Sequence, residues 1–228
     1  MHKDEVFLHK KNLLQEIADY ADIGRQDIVL EVGAGEGNLT AVLASKAGTV
    51  IAFEKNRKHL RKAYDKNLVN AEFKPEDALK TKWPRFNKMV SNIPYSVSKK
   101  IVLKLLEHDF EVAVMCVQKE FAQKIIAKAG EGNYRVISVA VQTTCEASVL
   151  CEIKSSEFTP KPKVDSAVIK LVKKRRLPEG YIKFLTKHFN QKNKKIKKIN
   201  PDAPEKIREY RSRNLSPIKF HNYFIEAR

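Results

Sequence analysis

Ser91-Asn92-Ile93-Pro94-Tyr95 places a side-chain amide, a proline-fixed turn and an aromatic ring directly after the apolar run "FNKMV". That set suits one kind of chemistry. An amino group on an aromatic base is a poor nucleophile, because its lone pair is delocalised into the ring. Two acceptors, the Asn92 side-chain oxygen and the Ile93 carbonyl, can bind its two N–H groups, localise the lone pair and aim it at a methyl group. Pro94 fixes the turn and brings no competing N–H. Tyr95 stacks on the base, an interaction worth roughly 1–3 kcal/mol. With an activated leaving group no strong general base is needed, so catalysis rests on orientation and electrostatics. Taken alone, the same residues also fit an ordinary strand-end turn with a packed tyrosine.

The residues upstream favour the chemical reading. "EVGAGEG" (31–37) follows a β-branched run. Glycines at such a turn tolerate positive φ and let the backbone approach a ligand, and the helix beyond offers free N–H groups. The spacing is GxGxG, at Gly33, Gly35 and Gly37, with Asn38 where a dinucleotide fingerprint has its third glycine. Glu31 ahead of the loop departs from that fingerprint too. Glu54 follows Gly33 by 21 residues, where a carboxylate accepts from ribose hydroxyls. Asp77, in "PEDAL", stands ready to accept from an adenine amino group. Three successive strand ends thus converge on a nucleoside-shaped site, and the pattern favours S-adenosylmethionine over NAD.

These residues need a frame. Leu13, Leu14, Ile17 and Tyr20 or Ala21 recur at helical spacing over 10–22. Strands are expected at 27–33, 49–54, 71–77, 86–92 and 111–118, and helices at 37–48, 56–66, 98–108 and 119–130. The β-branched runs 136–153 and 165–174 read as two longer strands joined by a Pro-rich loop, with no helix between them. The alternation predicts an α/β fold: a Rossmann-like, mostly parallel sheet with an antiparallel edge. After "KKRRLPEG" the pattern becomes helical. Ile182, Leu185, Phe189, Ile196 and Ile199 form one stripe, and Ser216 and Pro217 stand as N-cap and first residue of a last helix. The expected division is residues 1–177, then a small basic α-helical domain over 178–228.

Net charge is +17 and the pI near 9.7, a balance that draws polyanions. Residues 173–228 carry 17 Lys/Arg against 5 Asp/Glu, so the surplus sits in the last quarter, where nucleic-acid contact is expected. No apolar run approaches the roughly 18 residues of a membrane span and no signal peptide is evident at the N-terminus, so the cytoplasm is expected. Cys116, Cys145 and Cys151 lie far apart without CxxC spacing and read as reduced packing residues. The 6 His show no HExxH-like arrangement, so no metal is expected. The chain is taken as a monomer.

In order, "EVGAGEGNLT", "FEKN", "EDAL", "SNIPYSVS", "VQKEFAQKIIAK" and above all "EFTPKPKVDSAVIKL" (157–171) resemble the ribosomal RNA adenine N6-dimethyltransferases of the kasugamycin-resistance type. The resemblance covers roughly residues 4–175 well and the remainder more loosely. It implies a class I methyltransferase fold. Gly33, Glu54, Asp77 and Asn92 would touch S-adenosylmethionine, with Leu8 lying over it. Asn92, Pro94 and Tyr95 would hold the target adenine, and Phe158 would stack on its other face. It further implies methylation of two adjacent adenines near the 3′ end of small-subunit rRNA, on the assembling small ribosomal subunit, with Lys161, Lys163, Lys194, Lys195, Lys197 and Lys198 gripping RNA. Three departures stand out: Glu5-Val6 before "FL", "YRVIS" (134–138) where the family has "YGRLS", and a short C-terminal segment. Erythromycin-resistance enzymes acting on large-subunit rRNA share SNIPY-like motifs, but "VDSAV" and "LSPIKF" lean to the small-subunit type. DNA N6-adenine methyltransferases prefer a (D/N/S)PP(Y/F/W) clamp. A non-catalytic RNA-binding assembly factor is the reading from another class.

Overall fold

Short β-branched runs that end in glycine or a polar residue become the buried strands of one sheet. The computed structural model describes residues 6–227. A two-residue strand, β1 (Phe7–Leu8), precedes helix α1 (Lys11–Asp19), then β2 (Ile28–Val32), α2 (Asn38–Lys46), β3 (Thr49–Phe53), α3 (Arg57–Tyr64) and β4 (Ala71–Lys74). The next elements are β5 (Lys88–Asn92), α4 (Ser98–Leu106), β6 (Val112–Gln118) and α5 (Lys119–Ile126). The sheet order is β4-β3-β2-β5-β6 with every pair parallel. Successive side chains point to opposite faces of the sheet. Leu30, Met89 and Met115 enter one core cluster, while Val29, Val90 and Val114 enter the other. Both faces are therefore covered, as a parallel sheet requires.

The run 136–153 is where the structure departs most from the sequence reading. It is not one strand but helix α6 (Val136–Thr144) followed by β7 (Cys145–Ile153). An 18-residue strand would extend about 60 Å, far beyond the usual strand of 3–10 residues. Instead Ile137, Val139, Ala140 and Val141 are buried on all sides of a helix packed against α5 and the sheet, and tertiary burial overrides β-branched propensity. The Ser138 hydroxyl accepts from the Arg135 N–H at 2.9 Å and helps start the helix. A second two-residue strand, β8 (Phe158–Thr159), pairs antiparallel with β1, and the Thr159–Pro160 bond is cis. β9 (Ser166–Lys173) lies antiparallel between β6 and β7, which forms the expected antiparallel edge.

Beyond β9 come α7 (Tyr181–Phe189), a single turn α8 (Glu205–Arg208) and α9 (Pro217–Glu226). The expected long stripe does not form one helix. α7 ends at Phe189, and Ile196 opens a separate short 3-10 turn whose N–H donates to the Tyr210 carbonyl at 2.8 Å. Asn190 and Asn193, with the crowded Lys192, Lys194 and Lys195 around the second of them, are poor material for a continuing helix. Ser216 caps α9 as expected, its hydroxyl accepting from the Lys219 N–H, with Pro217 at the first position. Tyr181, Leu185, Ile196, Leu215, Phe220 and Tyr223 belong to the same buried cluster as Leu30 and Met89. Among the described residues no helix is long and apolar enough to cross a membrane.

Candidate active site

β2 has β3 on one side and β5 on the other, so the strand order reverses there. In open α/β sheets a crevice opens beyond the strand ends at that point. Here it is a cavity of about 210 Å³, lined from the loops after β2, β3, β4 and β5 and from β1.

The loop after β2 is built by close approach. Gly33, Gly35 and Gly37 have φ of +83°, +56° and +77°. A Cβ on Gly33 would stand 3.1 Å from Pro94 Cδ, and one on Gly35 would stand 2.7 Å from the Phe7 ring. Side chains at either position would fill the cradle. The Gly33 and Ala34 N–H groups donate to the Phe53 carbonyl at 2.8 and 3.1 Å, which ties the loop to the end of β3. Glu54 comes next in sequence. Its two carboxylate oxygens accept from the Gly35 N–H at 2.9 Å and the Asn56 N–H at 2.7 Å. A carboxylate has about four lone-pair sites, so capacity remains for ribose hydroxyls. Asp77 accepts from the Leu79 N–H at 2.9 Å and lines the same cavity. Leu8, Gly33, Gly35, Glu54, Asp77 and Asn92, all expected at the cofactor, are thus brought together.

At the end of β5, the Asn92 Nδ2 donates to the Val6 carbonyl at 3.0 Å. That bond fixes the amide so that Oδ1 is the remaining acceptor, and Oδ1 is buried without a partner. Buried polar atoms are rarely left so. Ile93 and Pro94 line the cavity beside it. Tyr95 does not. It is half-buried, and its hydroxyl shares a 2.5 Å hydrogen bond with Ser166. Burial raises the Tyr95 pKa, and the Ser166 hydroxyl partly opposes the shift. Phe158 is 3% exposed and sits opposite Leu8 in the β1–β8 pair, outside the cavity lining.

Three features carry little or no signal in the sequence. Phe7 covers Gly35 and meets the His59 ring edge-on at 5.0 Å. The dipeptide Phe7-Leu8 is too short to show periodicity. Glu31 lines the cavity, is 1% exposed and accepts from the Thr40 hydroxyl at 2.6 Å. Burial pushes its pKa up to about 8, with Thr40 opposing and the Glu54 charge adding. Ser166 stands out in the sequence only as part of "VDSAV".

Of the departures, Glu5 lies outside the described residues. Val6 supplies the carbonyl that holds Asn92. Tyr134–Ser138 stands away from the cavity lining: the buried Tyr134 hydroxyl donates to the Leu215 carbonyl at 2.9 Å, joining the start of α6 to the C-terminal segment. Lys161 and Lys163 are exposed in the loop between β8 and β9. Lys194, Lys195, Lys197 and Lys198 do not share a helix, because the chain turns there. Lys195 and Lys197 both pair with Glu209 at 2.5 Å. Among the described residues no group of three or more His, Cys, Asp or Glu is arranged to hold a metal.

The sheet order and the position of the cavity define the class: a methyltransferase with a Rossmann-like sheet and an antiparallel edge. Its structural neighbours agree. A dimethyladenosine transferase from Plasmodium falciparum superposes with a TM-score of 0.86 at 29% identity, covering 96% of each chain. The 23S rRNA methyltransferase ErmE gives 0.75 at 25% identity, over 96% of this chain and 98% of that one. The family model described as ribosomal RNA adenine dimethylase matches residues 4–217, and the chain belongs to that family. Among curated relatives, the "Probable ribosomal RNA small subunit methyltransferase A" of Methanococcoides burtonii is 36% identical over 94% of this chain and 88% of its own length. Its namesake from Thermococcus sibiricus is 43% identical over 80% of this chain and 69% of its own length.

Proposed function

We propose that the chain transfers methyl groups from S-adenosylmethionine to the N6 atoms of two adjacent adenines near the 3′ end of small-subunit rRNA during ribosome assembly. The observation that carries this reading is the buried, unpartnered Asn92 Oδ1, held as an acceptor by the bond from its own Nδ2 to Val6. The small-subunit target is supported by the names of the curated relatives.

S-adenosylmethionine, when bound, supplies an electrophilic methyl on a sulfonium that leaves without acid assistance. The glycine cradle and the orphaned Oδ1 fit such a ligand. Glu54 would hold the ribose hydroxyls, Asp77 the cofactor's amino group, and Leu8 the apolar wall. Asn92 Oδ1 and the Ile93 carbonyl would accept from the two N6 hydrogens of the target adenine and hold its lone pair toward the methyl. Tyr95 would supply a ring face for a base drawn out of its stack, and Phe158, buried opposite Leu8, would have to turn outward to supply the other. The segment from 178 onward would dock RNA, together with Lys161 and Lys163 on the loop after β8.

The test is methyl transfer. With labelled S-adenosylmethionine and small subunits lacking the modification, N6,N6-dimethyladenosine should accumulate at the two adjacent adenines. Subunit binding without transfer would overturn the reading in favour of a non-catalytic assembly factor.

A further inference from the structure

The Tyr95 hydroxyl is bound by a residue far along the chain. Ser166 is fully buried, and its hydroxyl lies 2.5 Å from the Tyr95 hydroxyl across 71 residues of sequence. Ser166 opens β9, where it is in register with Gln118 of β6 on one side and Ile153 of β7 on the other. Its backbone is therefore held from both flanks. The residue before it, Asp165, is tied as firmly. Its carbonyl accepts from the Lys119 N–H at 3.0 Å, and its carboxylate accepts from the Ser155 N–H at 2.9 Å and pairs with Lys154 at 3.2 Å. Ser155 begins the short turn that runs directly into Phe158. One dipeptide thus touches Tyr95 through one side chain and the turn leading to Phe158 through the other. None of Tyr95, Asp165 and Ser166 lines the cofactor cavity.

Resting on the proposed function, we propose that Ser166 is a positioning residue for the target base. Its hydroxyl fixes the plane of the Tyr95 ring, and the start of β9 sets the base side of the site without touching the cofactor side. A half-buried tyrosine with no hydroxyl partner can turn about its side-chain torsions, and stacking then loses its fixed geometry.

The experiment is steady-state methylation of unmodified small subunits by the full chain, paired with calorimetric binding of S-adenosylmethionine. Ser166→Ala should lower kcat about 2- to 12-fold, the range expected when one hydrogen bond is removed, with cofactor affinity unchanged. Tyr95→Phe, which removes the same bond from the other side, should match it. The double variant should be no worse than either single one, and Ser166→Thr should recover most of the activity. Additive effects, an unaltered Tyr95→Phe enzyme, or a fall in cofactor affinity equal to the fall in kcat would overturn the inference. Tyr95→Phe carries the test if Ser166→Ala fails to fold. A wild-type chain that transfers no methyl overturns the proposed function and this inference with it. An active wild type with unaffected variants overturns this inference alone.

Discussion

The two sides of the proposed site, one for the cofactor and one for the base, are held in different ways. On the cofactor side the partners are close in sequence and mostly main chain: Glu54 takes N–H groups 19 and 2 residues away, and Asp77 takes one 2 residues away. On the base side the partners are remote. Asn92 is held across 86 residues and Tyr95 across 71. The proposed nucleoside cradle is thus a property of three strand ends, whereas the proposed base clamp is a property of the closed domain. A substitution on the cofactor side should alter ligand affinity, and one on the base side should alter turnover.

The sharpest break of that division is Asn92→Ala. Removing this buried, unpartnered acceptor should cut kcat at least about 100-fold, the scale of removing a preorganised electrostatic interaction. Subunit affinity should stay within about 2-fold by filter binding. A parallel drop in RNA affinity would show that Asn92 grips rather than orients. Gly35→Ala tests the other side. The new Cβ would meet Phe7 at 2.7 Å and take a φ of +56°, so cofactor affinity should fall about 10- to 100-fold by calorimetry. Adding Phe7→Ala should return part of it. If kcat fell instead while affinity held, the two sides would not be separable.

This division also explains what is legible in the sequence. The glycine loop, Glu54 and Asp77 can be read there because each depends on its own strand end, and strand–helix alternation is a local signal. The Asn92-Ile93-Pro94-Tyr95 turn can be read as chemistry but not as support, because the Val6 carbonyl and the Ser166 hydroxyl come from far away along the chain. Phe158 is expected near the base, yet its pairing with Leu8 leaves no trace, since two residues carry no periodicity. Helix α6 reads as a strand because its burial on all sides erases the polar face that marks a helix, leaving only β-branched residues. The stripe running from Ile182 to Ile199 misleads for the opposite reason. Its apolar spacing continues through a break that the helix does not survive.

Glu31 is the exception on the cofactor side, a buried carboxyl at the end of β2. Its folded pKa of about 8 lies above its ordinary value. The folded state therefore binds the proton more tightly than the unfolded state, and stability falls as pH rises through the window from roughly 4.5 to 8. Glu31→Gln should remove that slope. By thermal melts the variant should gain on the wild type between pH 5 and pH 8.5, by about 4 kcal/mol. Equal slopes in the two proteins would mean that Glu31 stays charged in the fold.

The smallest expected effects lie on the C-terminal surface, where the sequence reading treats four lysines as equivalent. Lys194 and Lys198 are exposed, while Lys195 and Lys197 share Glu209, whose carboxyl they hold down to about 2. That carboxylate stays charged across the working pH range and already offsets part of their charge. Each lysine removed from a phosphate should flatten the slope of log affinity against log salt by about 0.7 to 0.9. Lys194→Gln with Lys198→Gln should flatten it by about one to two such steps, and Lys195→Gln with Lys197→Gln by less. Glu209→Gln should steepen it, because two cations are released toward the RNA. If all three variants left the slope unchanged, this turn would not be a docking surface, and the exposed Lys161 and Lys163 beside the base side of the site would be the place to look for the phosphate-binding cations.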